Sequence, residues 1–222
     1  MHELSVKDLC LRMPNGQSLV EGLSFTVEPG QVVALMGPSG SGKSSILNWL
    51  TGMVDSHLHA SGEVWLGPRQ LTSLPTEKRR LGLMLQQDYL FPHMSVGDNL
   101  RFGLRGGSRR ERTERVRQVL QDASLAGLEQ RDPATLSGGQ RARVSLLRTL
   151  LADPCALLLD EPFSALDTTL REQIRRLTWD SAARLPVLLV THDMADVPLQ
   201  ARVLRIGESS PADSLGMHPQ PI

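Results

Sequence analysis

Short apolar stretches separated by polar turns predict that the first part of the chain is rich in β-strands. Residues 3–12 and 19–27 alternate between apolar and polar positions, and a turn-forming segment at residues 14–16 separates them. Val32–Met36 is apolar throughout, which is typical of a strand that is covered on both faces of a parallel or mixed sheet. A helical spacing of apolar residues follows this strand, beginning at Ile46.

The middle of the chain has a different pattern from its two ends. Residues 94–153 are rich in helix formers, and one helix is predicted over 141–151. Further strands are predicted at 62–66, 81–85, 156–159, 187–190 and 203–206. We therefore predict a single α/β domain over 1–207 with a core formed by 1–87 and 156–207. A helical subdomain at 88–155 interrupts this core, and a flexible tail follows at 208–222.

Charge and composition narrow the classes of function. The 222 residues include 24 Lys and Arg and 24 Asp and Glu, so the formal net charge of zero disfavours a nucleic-acid partner. Residues 101–117 hold seven arginines and two glutamates. A solvated helix face is the simpler interpretation of this stretch, and contact with anionic lipid headgroups is the alternative. The apolar runs are too short to span a membrane, so any action at a membrane is expected from outside the bilayer.

A glycine-rich segment between the strand at 32–36 and the next helix predicts a phosphate site. It consists of Gly37, Pro38, Ser39, Gly40, Ser41, Gly42, Lys43 and Ser44, followed by Ser45, and it matches G-x-x-x-x-G-K-[ST]. Glycines allow backbone N–H groups to surround a triphosphate, and the helix N-terminus adds positive potential. Lys43 would contact the β- and γ-phosphates and Ser44 would ligate Mg²⁺. A simple glycine turn before a helix is the alternative interpretation.

Two adjacent carboxylates, Asp160 and Glu161, follow the apolar strand predicted at 156–159. Asp160 would hold Mg²⁺ through water, and Glu161 would orient and deprotonate an attacking water. Acids at the end of a buried strand are common, so this signal is weak alone and becomes strong downstream of a phosphate loop. The second carboxylate favours hydrolysis over binding alone.

A second glycine-containing segment opens the helix predicted at 141–151. It comprises Leu136, Ser137, Gly138, Gly139 and Gln140. Glycines at a helix N-terminus can again surround a phosphate. One nucleotide does not need two such segments, so we expect this one to contact the nucleotide of a second copy of the chain.

These motifs together resemble the ATP-binding subunits of ABC transporters along nearly the whole chain. In order, they are 37–44, Gln86, 136–140, Asp160 with Glu161, 164–167 and 191–193. The resemblance implies that Gln86 senses Mg²⁺ or the attacking water, so Gln86 joins Ser44 and Asp160 as a metal residue. It also implies that Asp167 lies in a loop at a dimer interface. His192 is expected to contact the γ-phosphate and Glu161, so the implied catalytic residues are Lys43, Gln86, Glu161 and His192.

The resemblance further implies a P-loop NTPase (RecA-like) core with an N-terminal antiparallel β portion and an inserted helical subdomain. The expected function is hydrolysis of ATP with Mg²⁺ to power a separate membrane permease, most similar to that of bacterial importers. The expected partners are a second copy of the chain, a permease that contacts segment 86–96, and a separate solute-binding protein. The expected location is the cytoplasmic face of the bacterial inner membrane. An exporter, a lipid-extraction system or a soluble ABC ATPase of DNA repair or translation is the alternative.

Two features depart from the family pattern. The family usually stacks adenine on an aromatic ring near the first strand, but residues 1–24 contain no Phe, Tyr or Trp, and Met13 is the nearest apolar substitute. Pro198 falls where a helix is expected after His192 and should shorten or bend it.

Overall fold

The computed structural model describes residues 2–207 and contains two β-sheets. The strands are β1 (Leu4–Arg12), β2 (Ser18–Val27), β3 (Val32–Met36), β4 (His59–Leu66), β5 (Arg69–Gln70), β6 (Leu81–Met84), β7 (Ala156–Asp160), β8 (Val187–Val190) and β9 (Arg202–Arg205). One sheet is antiparallel, in the order β2-β1-β4-β5. The other is parallel, in the order β6-β7-β8-β3-β9. The predicted α/β fold with an N-terminal antiparallel portion is confirmed.

Three of the six α-helices of the described residues lie between β6 and β7. The six helices are α1 (Lys43–Thr51), α2 (Thr76–Arg79), α3 (Val96–Gly103), α4 (Arg109–Asp122), α5 (Gly138–Leu151) and α6 (Thr168–Ser181). Helix α5 begins three residues before its predicted start, because Ser137 and Gln140 cap it reciprocally. The boundary of the helical subdomain at 88–155 stays a prediction, and the tail predicted at 208–222 lies outside the described residues.

The parallel sheet separates two hydrophobic clusters. In β7, Ala156 and Leu158 pack with the antiparallel sheet and α1, whereas Leu157 and Leu159 pack with α3, α4, α5 and α6. All four side chains are fully buried. Successive side chains of a strand point to opposite faces, so burial on both faces explains the unbroken apolar run.

The segment after β8 shows the effect of Pro198. Only a short 3₁₀ helix, Met194–Asp196, forms before β9. Val197 is extended, with φ of −84° and ψ of 120°, which is the backbone conformation that a following proline favours. The buried carboxylate of Asp196 fixes this segment by accepting two hydrogen bonds from Arg171, at 2.8 and 2.6 Å.

Candidate functional site

The glycine-rich loop joins β3 to α1 at the carboxyl end of the parallel sheet. A Cβ atom on Gly37 would lie 2.2 Å from the carbonyl oxygen of Ile206, so the close approach of the two segments requires glycine. Gly42 has a φ of 88° and is the N-cap of α1, without a side-chain capping bond. The first N–H groups of α1 are therefore available, with the positive end of the helix, to bind a phosphate.

The ammonium group of Lys43 lies within the curve of this loop. Its Nζ atom donates hydrogen bonds to the carbonyl oxygens of Gly37, at 2.9 Å, and Pro38, at 2.7 Å, and lies 3.4 Å from Ser41 Oγ. These acceptors are uncharged. An anionic phosphate would be a stronger partner for the same ammonium group.

The carboxylate of Asp160 lies at the carboxyl end of β7 and is 4% exposed. Burial raises the pKa of Asp160, and the nearby Glu161 adds to this shift, while Ser44 and Lys43 oppose it. Burial thus leaves the ionised form of Asp160 incompletely compensated. A cation beside Asp160 and the Ser44 hydroxyl would favour that form.

Glu161 and His192 form a direct pair, although 31 residues separate them. The Nδ1 atom of His192 lies 2.7 Å from Oε1 of Glu161, and the N–H group of Glu161 donates to the carbonyl oxygen of Val190 at 2.9 Å. Adjacent strands β7 and β8 bring the two residues together. The hydrogen bond to Glu161 raises the pKa of His192. The Oε2 atom of Glu161 is buried and has no hydrogen-bond partner in residues 2–207.

These groups surround one cleft of about 370 Å³. The predicted residues that line it are Gly37, Ser39, Gly40, Gly42, Lys43, Ser44, Ser45, Gln86, Asp160, Glu161 and His192. Pro38 and Ser41 belong to the same loop and contact Lys43 instead. One chain thus brings together the predicted phosphate, metal and catalytic residues.

Leu19 is a residue of the cleft that sequence reasoning missed. It is half-buried at the start of β2, and its Cβ would lie 3.5 Å from a Cβ atom on Gly42. Met13, the predicted substitute for an aromatic ring, lies in the turn before β2 and is not among the described residues that line the cleft. The pairing of β1 and β2 contains register shifts, so the sequence pattern does not show which residue of this hairpin faces the glycine-rich loop. The apolar character of Leu19 was the only sequence signal for its place in the cleft.

The second predicted phosphate segment lies outside this cleft. Ser137 caps α5, because its Oγ atom accepts a hydrogen bond from the N–H group of Gln140. A Cβ atom on Gly139 would lie 3.1 Å from the carbonyl oxygen of Ala165, whereas one on Gly138 would meet only the tip of Arg141, at 4.0 Å. Asp167, two residues after Ala165, caps α6. The structure therefore brings the segments 137–140 and 164–167 together, apart from the cleft.

The parallel sheet, the phosphate loop and the paired carboxylates define a P-loop nucleotide-binding protein. The chain belongs to the ABC transporter family, whose model matches residues 20–164.

Two relatives show how the chain compares with other family members. It is 45% identical over 213 residues to the uncharacterized ABC transporter ATP-binding protein YnjD of Escherichia coli (strain K12), covering 93% of this chain and 96% of YnjD. It is 42% identical over 188 residues to the putative 2-aminoethylphosphonate import ATP-binding protein PhnT of Salmonella typhimurium, covering 82% of this chain and 50% of PhnT. The chain thus spans nearly all of YnjD but about half the length of PhnT.

Two solved structures share the fold. The ATP-binding cassette MJ0796, in a dimeric post-hydrolysis state bound to ADP and Pi, has a TM-score of 0.79 and 28% identity, with 91% of this chain and 94% of that chain covered. A bacterial Atm1-family ABC exporter with ATP bound has a TM-score of 0.80 and 26% identity, with 92% of this chain and 37% of that chain covered. The same fold therefore occurs in an exporter.

Proposed function

We propose that this protein is a Mg²⁺-dependent ATPase that powers a bacterial ABC importer. The observation that carries the proposal is the single cleft shared by Lys43, Asp160, Glu161 and His192. These groups are suited to transferring a phosphoryl group to water. They provide a cation for the phosphates, a buried carboxylate and a carboxylate–imidazole pair. The import function of PhnT supports the choice of an importer over an exporter.

The oxygen-bearing residues of the cleft suit Mg²⁺. This ion prefers oxygen ligands, and its sites commonly combine one or two carboxylates with substrate phosphates and water. In the described part of the chain, no cluster of three or more His, Cys, Asp or Glu could hold a metal by itself. Ser44 and Asp160, with Gln86 at the edge of the cleft, would hold the ion jointly with the phosphates. When bound, it would neutralise charge on those phosphates.

The pairing of Glu161 and His192 suits hydrolysis. One carboxylate oxygen of Glu161 is fixed by His192, while the buried Oε2 atom makes no hydrogen bond within residues 2–207 and would accept a proton once the attacking water reaches it. The Nε2 atom of His192 would contact the γ-phosphate, and the raised pKa of His192 favours the imidazolium form that attracts this anion. Lys43 would exchange its bonds to the loop carbonyls for bonds to the β- and γ-phosphates.

A second copy of the chain would complete each nucleotide site. The segment 137–140 does not line the cleft of its own chain, and the open space at Gly138 permits close approach by a ligand. Asp167 would lie at the same interface. The dimeric state of MJ0796 supports this arrangement.

The energy of ATP hydrolysis would drive a separate permease. This subunit would contact the permease at the cytoplasmic face of the inner membrane. A separate solute-binding protein would deliver the solute to the permease. No helix within residues 2–207 is long and apolar enough to cross a membrane. Segment 86–96 is the proposed permease contact. Its loop is fixed by the buried Asn99, whose side chain bonds the N–H and carbonyl groups of Phe91. Tyr89, 61% exposed, lies at the surface of the same segment.

The permease contact can be tested by co-purification. We expect Phe91→Ala and Tyr89→Ala to weaken association with the permease while each isolated subunit keeps most of its ATPase activity. Tyr89 is the more informative position, because the Phe91 ring is half-buried against Phe102 and Arg148. Leu199→Ala, which changes another exposed apolar residue outside the grooves lined by Tyr89 and Phe91, is the control. Recovery of normal amounts of permease with Tyr89→Ala, or equal loss of intrinsic ATPase activity, would count against this contact.

The lining of the cleft predicts weak discrimination between nucleobases. Base–aromatic stacking contributes about 1–3 kcal/mol per base, and no Phe, Tyr or Trp of the described residues lines the cleft. Leu19 offers an apolar contact that any base can use. We expect ATP and GTP affinities within about tenfold of each other, and Leu19→Ala to weaken both by a similar factor. Titration calorimetry would measure these affinities. A strong preference for ATP would show that another group recognises adenine.

A further inference from the structure

A short basic segment of the helical region, which we call the basic tip, comprises residues 102–110. It belongs to the stretch 101–117, where seven arginines and two glutamates occur in a chain whose total formal charge is zero. This stretch therefore carries a formal net charge of +5 (seven minus two), which an acidic excess in the rest of the chain balances. A local patch of this kind attracts an anionic surface without making the whole protein a polyanion binder.

The acidic side chains around the basic tip are engaged in other contacts. Glu111 accepts a hydrogen bond from the N–H group of Ser108, in the capping box of α4. Glu114 pairs with Arg117, and Glu129 pairs with Arg101. Asp98 also pairs with Arg101, and its pKa is lowered mainly by the hydrogen bond from Ser95. None of these four carboxylates pairs with an arginine of the basic tip.

Three arginines of the basic tip remain without ion pairs. Arg105, Arg109 and Arg110 are exposed, and within residues 2–207 no acidic partner lies within salt-bridge distance of their guanidinium groups. Arg109 and Arg110 also occupy the first turn of α4, where the helix dipole disfavours cations. Gly106, between Arg105 and α4, has a φ of 64° and open space where a Cβ would be. These three cations therefore lie on an exposed turn and helix start, where they form no ion pair with the described residues.

An exposed aromatic ring links the basic tip to the proposed permease surface. Phe102 is 63% exposed and contacts Phe91 edge to face, with ring centroids 4.8 Å apart. Phe102 and Arg105 also line one groove with Phe91 and Arg148. The basic tip is therefore continuous with the surface that would face the membrane, which makes this inference dependent on the proposed function.

We propose that the basic tip binds the anionic phospholipid headgroups of the membrane that contains the permease. Clustered arginines at a cytoplasmic membrane surface are attracted by anionic lipids, and an aromatic ring beside them is suited to the headgroup layer. The guanidinium groups are spread over a turn and the start of a helix, so they match an extended anionic surface better than one small ligand. Lipid contact would orient the subunit toward its permease.

Flotation with lipid vesicles tests this proposal. The probe is phosphatidylcholine vesicles, alone or with about one third phosphatidylglycerol, at about 0.1 M salt. The test variant is Arg105→Gln with Arg109→Gln and Arg110→Gln, and the matched control is Arg69→Gln with Lys78→Gln and Arg184→Gln, which removes three exposed cations elsewhere. We expect the unmodified chain and the control to bind only the anionic vesicles, and the test variant to bind them at least about tenfold more weakly. Binding should fall at about 0.5 M salt.

A second measurement separates lipid binding from permease binding. In detergent without anionic lipid, the test variant should co-purify with the permease and hydrolyse ATP as the unmodified chain does. Loss of the permease from the test variant in detergent would show that the arginines bind acidic groups of the permease, and it would overturn the proposal. Equal vesicle binding by the unmodified chain and the test variant, or an equal loss in the control, would also overturn it. If even the unmodified chain captured no permease, the proposed function would fail while the vesicle result still stood.

Discussion

Lys43→Ala should abolish high-affinity binding of ATP and, with it, ATP hydrolysis. The ammonium group of Lys43 lies inside the phosphate loop, where it bonds the carbonyl oxygens of Gly37 and Pro38. No other lysine or arginine lines the cleft among the described residues. Hydrogen bonds to charged groups are each worth about 1.5–3 kcal/mol, so loss of two such bonds to phosphate predicts a loss of affinity of at least about 100-fold.

Titration calorimetry with MgATP, together with an assay of released phosphate, would measure this effect. Lys78→Ala is the matched control, because Lys78 lies exposed on α2. Thermal unfolding should show that Lys43→Ala remains folded, since Lys43 bonds only to its own loop and packs against no core cluster. Ordinary ATP affinity in the folded variant would contradict the assignment of the phosphate site.

The central sheet and the phosphate loop were predictable because their signals are local. An unbroken apolar run such as Val32–Met36 or Val187–Val190 arises from burial on both faces of the sheet. The glycines of the loop belong to a motif of eight consecutive residues whose backbone curves tightly, as the φ of 88° at Gly42 shows. Such features need only neighbours in the sequence.

Features that depend on non-local pairing were less predictable. The strand predicted at 62–66 is β4, which begins earlier, at His59. It is longer because β1 continues to pair with it as far as Arg12, which lies opposite His59. Leu19 reaches the cleft through a hairpin whose register shifts are not visible in the sequence pattern. The contact of Glu161 with His192 follows from adjacency of β7 and β8, which the family resemblance implied but apolar spacing alone did not.

Glu161→Gln should slow ATP hydrolysis by a factor of about 10²–10⁴, the usual effect of losing a general base. The substitution is nearly isosteric, and the amide oxygen can keep the bond to Nδ1 of His192. The amide at the position of the buried Oε2 atom cannot accept a proton from water. Because the carboxylate charge near the triphosphate is also lost, repulsion in the ATP-bound state should decrease.

The same variant tests whether ATP joins two copies of the chain. Each proposed site combines the cleft of one copy with Ser137 and Gly139 of the other, so ATP binding should favour the dimer by mass action. Slow hydrolysis should preserve that dimer, whereas ADP lacks the γ-phosphate that links the two copies. We therefore expect Glu161→Gln to be monomeric alone or with ADP and dimeric with MgATP.

Size-exclusion chromatography with light scattering distinguishes these states. Glu77→Gln, which removes an exposed carboxylate from α2, is the control and should hydrolyse ATP normally without a stable dimer. Adding Ser137→Ala to Glu161→Gln should weaken the dimer and leave binding of ATP to the monomer unchanged, because Ser137 does not line the cleft of its own chain. A Glu161→Gln variant that binds MgATP but stays monomeric would show that the isolated subunit does not close around ATP, and closure would then require the permease.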